Sequence, residues 1–236
     1  MIKALTLDLW NTLIEDEVGP LTTYGAMRVE ALKAVLSKRR AVDADSILKA
    51  YLKTAAIREV VPPKLVAKII VVLNGYDLGD PIVEEAARAY EESVYAYKPK
   101  VVNGAQELLE YAKKLGLKVV VVSNTSFSAR AVAKVLENAG LAQYVDYVVS
   151  SSDTEVAKPN PRIFYTALRA VGVEPGEAVH LGDSCLKDAI GAYIVGMKPI
   201  LLARSEEAAE LCKNVPSLIV VKSLSEVLVI LEGMVK

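Results

Sequence analysis

The second half of the chain alternates short apolar runs with helical stretches, and this alternation restricts the possible fold more than any other feature. The run KVVVV at 118–122 directly follows a helical stretch at 103–116, and AVHLGD at 178–183 follows another helical stretch. Short β-branched runs that alternate with helices of roughly 10–15 residues are typical of βαβ units. Such units form a parallel sheet with helices on both faces. From residue 100 onward, the sequence therefore predicts an α/β fold.

Residues 15–98 show a different pattern, without a comparable apolar run of strand character. Four stretches in this segment carry apolar residues at helical spacing. The last begins at Asp80-Pro81, a helix-capping residue followed by a residue that suits the first helical turn. We therefore predict a Rossmann-like parallel-sheet core formed by 1–14 and 99–236, and a small all-helical domain formed by 15–98.

The composition limits the partners that the chain can have. With 28 basic and 29 acidic residues, the formal net charge is −1, which argues against nucleic acid or an anionic membrane as the main partner. No apolar run reaches the ~18 residues of a membrane helix. We expect a small anionic metabolite as partner, and a monomer or homodimer. The only cysteines, Cys185 and Cys212, lie in different contexts and predict neither a disulfide framework nor a zinc site. Two thiols without a secretory leader pattern predict a cytoplasmic location.

Polar side chains follow three of the apolar runs, at the point where each run ends. Asp8 follows the first run, Ser123 and Asn124 end the second, and Asp183 follows AVHL-Gly, with Asp188 five residues later. Ligands of open parallel sheets bind beyond the carboxyl ends of the strands. If these strands are neighbours, the polar side chains converge on one site.

The chemistry of these side chains favours hydrolysis with a metal ion. An aspartate at a strand tip can attack an electrophile and form a covalent intermediate that water then cleaves. Carboxylates without cysteine or histidine favour Mg²⁺, which would screen the repulsion between Asp8 and an anionic substrate. Lys158 lies in the loop EVAKPNP, which Pro159 keeps from being helical, and would stabilise the same negative charge.

Four pieces of the sequence resemble, in order and spacing, the motifs of the haloacid dehalogenase superfamily of aspartate-nucleophile hydrolases. These pieces are DLWNTL (8–13), VVVVSN (119–124), AKPNP (157–161) and GDSCLKD (182–188). The resemblance covers the whole chain, and it implies that 15–98 is the helical cap that this superfamily places after its first motif. It also implies a hydrolase that acts through a covalent aspartyl intermediate.

The resemblance assigns three kinds of role to the matching residues. The catalytic residues would be Asp8 as nucleophile, Lys158 and Ser123. The substrate-binding residues would be Trp10, Thr12 and Asn124. The ligands of Mg²⁺ would be Asp8, the backbone carbonyl of Trp10, Asp183 and Asp188.

Trp10 departs from the pattern of the superfamily's phosphatases, which usually have a second aspartate at this position. That aspartate protonates the leaving group, whereas an indole has one N–H donor and no proton to transfer at pH 7. The dehalogenase branch usually has an aromatic residue here, because displacement of a halide needs no leaving-group proton. Trp10 could equally line the substrate pocket or pack between the core and the cap.

Three functions therefore remain open. The favoured one is an Mg²⁺-dependent phosphatase of a small phosphorylated metabolite, because the acidic pair Asp183 and Asp188 needs a cation to offset its repulsion. The first alternative is a 2-haloacid dehalogenase that forms an aspartyl ester and uses a cap arginine, for which Arg28, Arg39 and Arg40 are candidates. The second alternative is a weakly catalytic protein that binds a metabolite or a partner.

Two residues beside these motifs are expected to have structural roles. His180 lies on the buried run AVHLGD and is expected to pack rather than react. Cys185 lies near the presumed site but is expected to be a small buried apolar side chain.

Overall fold

The computed structural model describes residues 1–19 and 21–235, and its centre is a six-stranded parallel sheet. The strands are β1 (Ala4–Leu7), β2 (Lys118–Ser123), β3 (Tyr147–Ser150), β4 (Ala178–Gly182), β5 (Lys198–Leu202) and β6 (Ile219–Val221). Their order in the sheet is β3-β2-β1-β4-β5-β6, and every neighbouring pair is parallel. The first strand therefore lies in the middle of the sheet.

Helices cover both faces of this sheet, as predicted. They are α5 (Ala105–Lys114), α6 (Ala129–Asn138), α7 (Ser151–Thr154), α8 (Pro161–Val171), α9 (Gly191–Ile194), α10 (Glu206–Leu211) and α11 (Leu224–Val235). Val119 and Val121 of β2 pack in one hydrophobic cluster, whereas Val120 and Val122 pack in another. Successive side chains of a strand point to opposite faces, so the sheet is buried on both sides. Within the described residues, no helix has the length and apolar character needed to cross a membrane.

Residues 15–98 contain four longer helices and no strand within their described part. The helices are α1 (Thr23–Leu36), α2 (Ala44–Lys53), α3 (Pro63–Leu73) and α4 (Ile82–Ser93). They share a hydrophobic cluster that is separate from those of the sheet and includes Leu32, Ile47, Ile70 and Tyr90. We call residues 15–98 the helical insert. Its division from the rest of the chain as a domain stays a prediction.

The helical segment after β4 does not begin as an α-helix. Residues Cys185–Ile190 form a π-helix, and α9 follows it directly. The amide of Ala189 donates to the carbonyl of Ser184, five residues earlier, at 3.2 Å. Wide turns of this kind are rare and often lie at functional sites. This turn carries Asp188, whose side chain is buried.

A disulfide joins Cys185 to Cys212, so the prediction that these residues form no disulfide was wrong. Both sulfurs lie in a small buried cluster with Ala189 and Leu201, because the end of α10 packs against the π-helix. The two residues are 27 positions apart in the sequence, and their spacing alone does not show that the chain returns to the same place. The two cysteines are therefore not free thiols, and they no longer support the expectation of a cytoplasmic location.

We expect dithiothreitol to lower the thermal stability of the protein. A bond that closes a 27-residue loop restricts the unfolded chain, which is worth on the order of 3 kcal/mol. For a chain of this size that corresponds to a fall of roughly 10 °C in the unfolding midpoint, measured by calorimetry. The Cys185→Ser/Cys212→Ser variant is the control, since dithiothreitol should not change its midpoint. An unchanged wild-type midpoint, with both thiols shown free by titration, would contradict this expectation.

Candidate active site

The strands that end in the polar residues are neighbours, as the sequence predicted. Leu7 of β1 lies beside Val121 of β2 on one side and Leu181 of β4 on the other. The amide of Asp8 continues this pairing and donates to the carbonyl of Leu181 at 2.9 Å. The residues that follow β1, β2 and β4 therefore meet at one edge of the sheet, as expected for a parallel sheet.

Lys158 lies at the centre of this edge, with its side chain 1% exposed. Its Nζ is 2.6 Å from Oδ1 of Asp8 and 2.6 Å from Oδ1 of Asp188. Asn124 holds the lysine backbone, because its Oδ1 accepts from the Lys158 amide at 2.7 Å and its Nδ2 donates to the Lys158 carbonyl at 3.0 Å. The asparagine after β2 thus positions the ammonium group between the two carboxylates.

Asp188 is fixed by a second set of hydrogen bonds from β1 and β4. Nε2 of His180 lies 3.1 Å from Oδ1 of Asp188, and Nδ1 lies 2.7 Å from the hydroxyl of Thr6. Burial lowers the pKa of His180, so the ring is neutral. The tautomer with its proton on Nε2 donates to Asp188 and accepts from Thr6. The amide of Ser184 donates to the other carboxylate oxygen of Asp188 at 2.9 Å.

The pKa values of the two carboxylates beside Lys158 shift in opposite directions. Burial raises the pKa of Asp8 to about 7, although Lys158 opposes the rise. Burial also acts on Asp188, but Lys158 and His180 together hold the pKa of that carboxyl below its ordinary value. Burial lowers the pKa of Lys158, but Asp188 and Asp8 outweigh it, so the net shift is upward. Burial therefore dominates at Asp8, whereas the contacts with Lys158 and His180 dominate at Asp188.

Asp183 brings a third carboxylate to the same place. Carboxylate oxygens of Asp8, Asp183 and Asp188 all lie within 4.8 Å of one another. Burial, followed by the charge of Asp188, raises the pKa of Asp183. Oxygen ligands in this number suit a hard divalent cation such as Mg²⁺, which keeps several waters and takes few carboxylates. The donor set therefore fits the predicted metal.

Two cavities adjoin at this edge. The first, of about 220 Å³, contains the three carboxylates and Lys158, and we call it the catalytic cavity. The second, of about 230 Å³, is lined mainly by the helical insert, and we call it the insert cavity. Trp10, Asp16, Glu59 and Asn124 line both. Glu59 of the insert also lies 4.0 Å from Lys187 of the core, so an ion pair spans the boundary.

Most of the chain matches a known protein family. The profile of the haloacid dehalogenase-like hydrolases matches residues 2–195. The chain belongs to this family. Among the curated relatives of this hydrolase is the haloacid dehalogenase-like hydrolase domain-containing protein 3 of Mus musculus, 38% identical over 144 residues, or 61% of this chain and 56% of the relative. A glyceraldehyde 3-phosphate phosphatase of Methanopyrus kandleri is 35% identical over 135 residues, or 56% of this chain and 55% of the relative. The matches thus span between about half and two thirds of the length of the first curated relatives.

Solved structures of similar proteins share the fold over nearly the whole chain. A 2-haloacid dehalogenase of Pseudomonas syringae has a TM-score of 0.72 at 22% identity, with 99% of each chain covered. A HAD phosphatase of Thermococcus onnurineus has a TM-score of 0.64 at 25% identity, with 98% of this chain and 99% of the other covered. The Rossmann-like fold of a haloacid dehalogenase-like hydrolase is therefore shown.

The structure brings together six of the eight residues predicted for the site of this hydrolase. Asp8, Trp10, Asn124, Lys158, Asp183 and Asp188 all line the catalytic cavity. Thr12 and Ser123 line neither cavity, and their hydroxyl groups are buried without a hydrogen-bond partner among the described residues. Their predicted contact with substrate stays a prediction, as do the roles of the other six.

The three arginines considered for the cap arginine of a dehalogenase differ in their contacts. Arg39 pairs with Asp80 at 3.2 Å, and Arg40 donates to backbone carbonyls at the end of α3, so both serve the helical insert. Arg28 is fully buried and donates from Nη1 to the hydroxyl of Ser126 and from Nη2 to its carbonyl, both at 2.7 Å. Because Ser126 lines the insert cavity, Arg28 is the one of the three that approaches the site.

Gly182 permits the close approach of Asp188. A Cβ atom on Gly182 would lie 2.2 Å from Cγ of Asp188 and 2.4 Å from its Oδ2. We expect Gly182→Ala to push Asp188 away from Lys158 and to cost about 1–3 kcal/mol of stability. Thermal unfolding and a crystal structure of the variant would measure both effects. Gly176→Ala is the matched control, since a Cβ there meets nothing within 4 Å. Equal midpoints for the two variants would count against this expectation.

Proposed function

We propose that this haloacid dehalogenase-like hydrolase is an Mg²⁺-dependent phosphatase that acts on a small phosphorylated metabolite through a covalent intermediate on Asp8. The observation that supports this most is the excess of negative charge in the catalytic cavity. Three carboxylates lie within 4.8 Å of one another, and Lys158 contacts two of them. Like charges at this distance resist ionisation unless a cation offsets them. The names of the M. kandleri and T. onnurineus relatives, both phosphatases, agree with the proposal.

Each residue of the site has a separate role in the proposed reaction. Asp8 attacks phosphorus with Oδ2, because its Oδ1 accepts the hydrogen bond from Lys158. Lys158, held by Asn124, stabilises negative charge on the nucleophile and on the transferred group. When bound at Asp8, Asp183 and Asp188, Mg²⁺ supplies the positive charge that lowers the pKa of Asp8 and screens the substrate phosphoryl group. Water then hydrolyses the aspartyl phosphate.

The proton for the leaving group needs a source other than Trp10. Outside the metal cluster, Asp16 and Glu59 are the described carboxylates that line the catalytic cavity. Burial raises the pKa of Asp16, which favours the protonated form that a general acid requires. Oδ1 of Asp16 accepts from the Glu17 amide at 2.9 Å, which orients the carboxyl group. We infer that Asp16 protonates the leaving group.

A dehalogenase function is the second candidate, and one specific observation favours it. The ring of Trp10, which lines both cavities, packs 5.6 Å from that of Tyr24 and 5.5 Å from that of Phe127. An apolar wall suits a short haloacid, and halide departure needs no proton. The similar dehalogenase structure, at 22% identity, supports the fold alone.

The assay that separates these functions measures phosphate and halide release side by side. We expect the wild type to release phosphate from p-nitrophenyl phosphate with Mg²⁺ and to stop when EDTA is added. Asp8→Asn should lose about 10³-fold or more of kcat, because the amide oxygen is a poor nucleophile. Asp45→Asn, on the exposed start of α2, controls for the loss of a carboxylate elsewhere.

Three outcomes would overturn the phosphatase proposal. Halide release from 2-chloropropionate that ignores EDTA would establish the dehalogenase. Full activity of Asp8→Asn would remove Asp8 as nucleophile. The absence of both activities, with tight binding of an anion, would indicate a binding protein.

The proposal that Asp16 is the general acid leads to a separate prediction about leaving groups. Asp16→Asn should lower kcat/KM for an alkyl phosphate by about 10²-fold, because an alkoxide leaves poorly without a proton. For p-nitrophenyl phosphate the same variant should lose far less, because the phenolate departs unprotonated. Steady-state kinetics with both substrates on one protein preparation give this ratio. An equal loss with both substrates would mean that Asp16 supports the fold of the site rather than the proton transfer.

A further inference from the structure

His180 is the only histidine of the chain, and its side chain is completely buried. The ring lies edge-on to Phe164, with 5.1 Å between the two ring centroids, so part of its environment is simple packing. Both ring nitrogens nevertheless face polar atoms. Nδ1 lies 2.7 Å from Oγ1 of Thr6, and Nε2 lies 3.1 Å from Oδ1 of Asp188. An apolar side chain would fill the same space without these contacts, and the reaction proposed above does not use His180.

The single hydroxyl proton of Thr6 determines which ring nitrogen carries hydrogen. Oγ1 of Thr6 has two acceptors within reach, Nδ1 of His180 at 2.7 Å and the carbonyl of Val179 at 3.1 Å. If the proton went to Val179, Nδ1 would have to donate to Thr6, and the neutral ring would turn an unprotonated Nε2 toward Asp188. Two buried acceptors would then face each other at 3.1 Å without a hydrogen between them, which is costly. Donation from Thr6 to Nδ1 avoids this and directs the Nε2–H at Asp188.

The Nε2–H of His180 is one of three donors that reach the carboxylate of Asp188. Oδ1 accepts from Nζ of Lys158 at 2.6 Å and from His180, and Oδ2 accepts from the Ser184 amide at 2.9 Å. A carboxylate offers about four acceptor positions, so these three described donors fix its plane and leave one position for a cation. Without His180, Oδ1 would keep only the ammonium group that it shares with Asp8.

The contact between His180 and Thr6 connects this carboxylate to the middle of the sheet. Thr6 and His180 are partners in the register of β1 and β4, so the pairing of these strands sets the position of the ring. Asp188 lies instead on the π-helix that follows β4. The pair therefore ties a side chain of this helix to two strands whose tips carry Asp8 and Asp183.

We propose that Thr6 and His180 are positioning residues that hold Asp188 in the orientation in which it binds Mg²⁺. This inference rests on the proposed Mg²⁺-dependent phosphatase function, and it adds two residues outside the four motifs to the site. Loss of a hydrogen-bond partner of a metal ligand typically costs about 10- to 100-fold in metal affinity. A histidine that only fills space would not affect Mg²⁺ in this way.

The first test measures the dissociation constant of Mg²⁺ by calorimetric titration with MgCl₂, without substrate. We expect His180→Leu, which fills a similar volume without a donor, to bind Mg²⁺ about 10- to 100-fold more weakly than the wild type. His180→Gln, whose side-chain N–H can replace Nε2, should restore most of this affinity. Thr6→Val should lose about 3- to 10-fold, the worth of one hydrogen bond, because Nδ1 is then no longer held. Thr54→Val is the matched control and should change nothing, since it removes a buried hydroxyl that donates to the Tyr51 carbonyl in the insert.

The second test uses the ¹⁵N NMR signals of the imidazole, which need no assignment in a tag-free protein with one histidine. We expect the wild type to carry the ring proton on Nε2. The Nε2 signal should shift when MgCl₂ is added, because the hydrogen-bond acceptor Asp188 becomes a metal ligand. It should not shift when NaCl is added to the same ionic strength.

Four results would overturn the proposal: a wild type that does not bind Mg²⁺, His180→Leu with wild-type affinity, His180→Gln that loses as much as His180→Leu, or a ring proton on Nδ1. If His180→Leu does not fold, wild-type affinity in Thr6→Val or a ring signal that ignores MgCl₂ overturns it. None of these measurements uses a substrate. A protein that binds Mg²⁺ as expected but releases no phosphate would therefore refute the phosphatase proposal alone.

Discussion

The ammonium group of Lys158 determines the arrangement of this site. It lies 2.6 Å from a carboxylate oxygen of Asp8 and 2.6 Å from one of Asp188, and its side chain is 1% exposed. Removing such a group from water costs several kcal/mol unless its charge is offset and its donors are used. Both carboxylates therefore offset the charge of Lys158, and the Asn124 amide holds the backbone of the loop 157–161 at that residue.

The position of the charged residues could be predicted from the sequence, because a strand end is visible as the point where an apolar run meets a polar residue. Asp8, Asn124 and Asp183 all follow from that rule. The hydrogen bonds that hold Asp188 in place could not be predicted from the sequence. Thr6 and His180 meet because they lie opposite each other in the register of β1 and β4, and a sequence does not show register. His180 packs as expected, but it also donates to Asp188.

Contacts between segments far apart in the chain account for the other differences. Cys185 and Cys212 become neighbours only because α10 returns to the π-helix. The π-helix itself arises from one additional residue in the turn after Ser184, which no helical periodicity indicates. The four helices of the insert were predictable from apolar spacing, whereas the turn that carries Glu59 has no pattern of its own. Thr12 and Ser123 follow the motif but line neither cavity, and their hydroxyl groups are buried.

Position 10, where this chain has a tryptophan and the superfamily's phosphatases usually have an aspartate, lies between the two cavities. Trp10 lines both, so an aspartate in its place would add a fourth carboxylate to a site that already has three within 4.8 Å. An uncharged ring at this boundary adds no further negative charge to the site, whose three carboxylates already face one ammonium group.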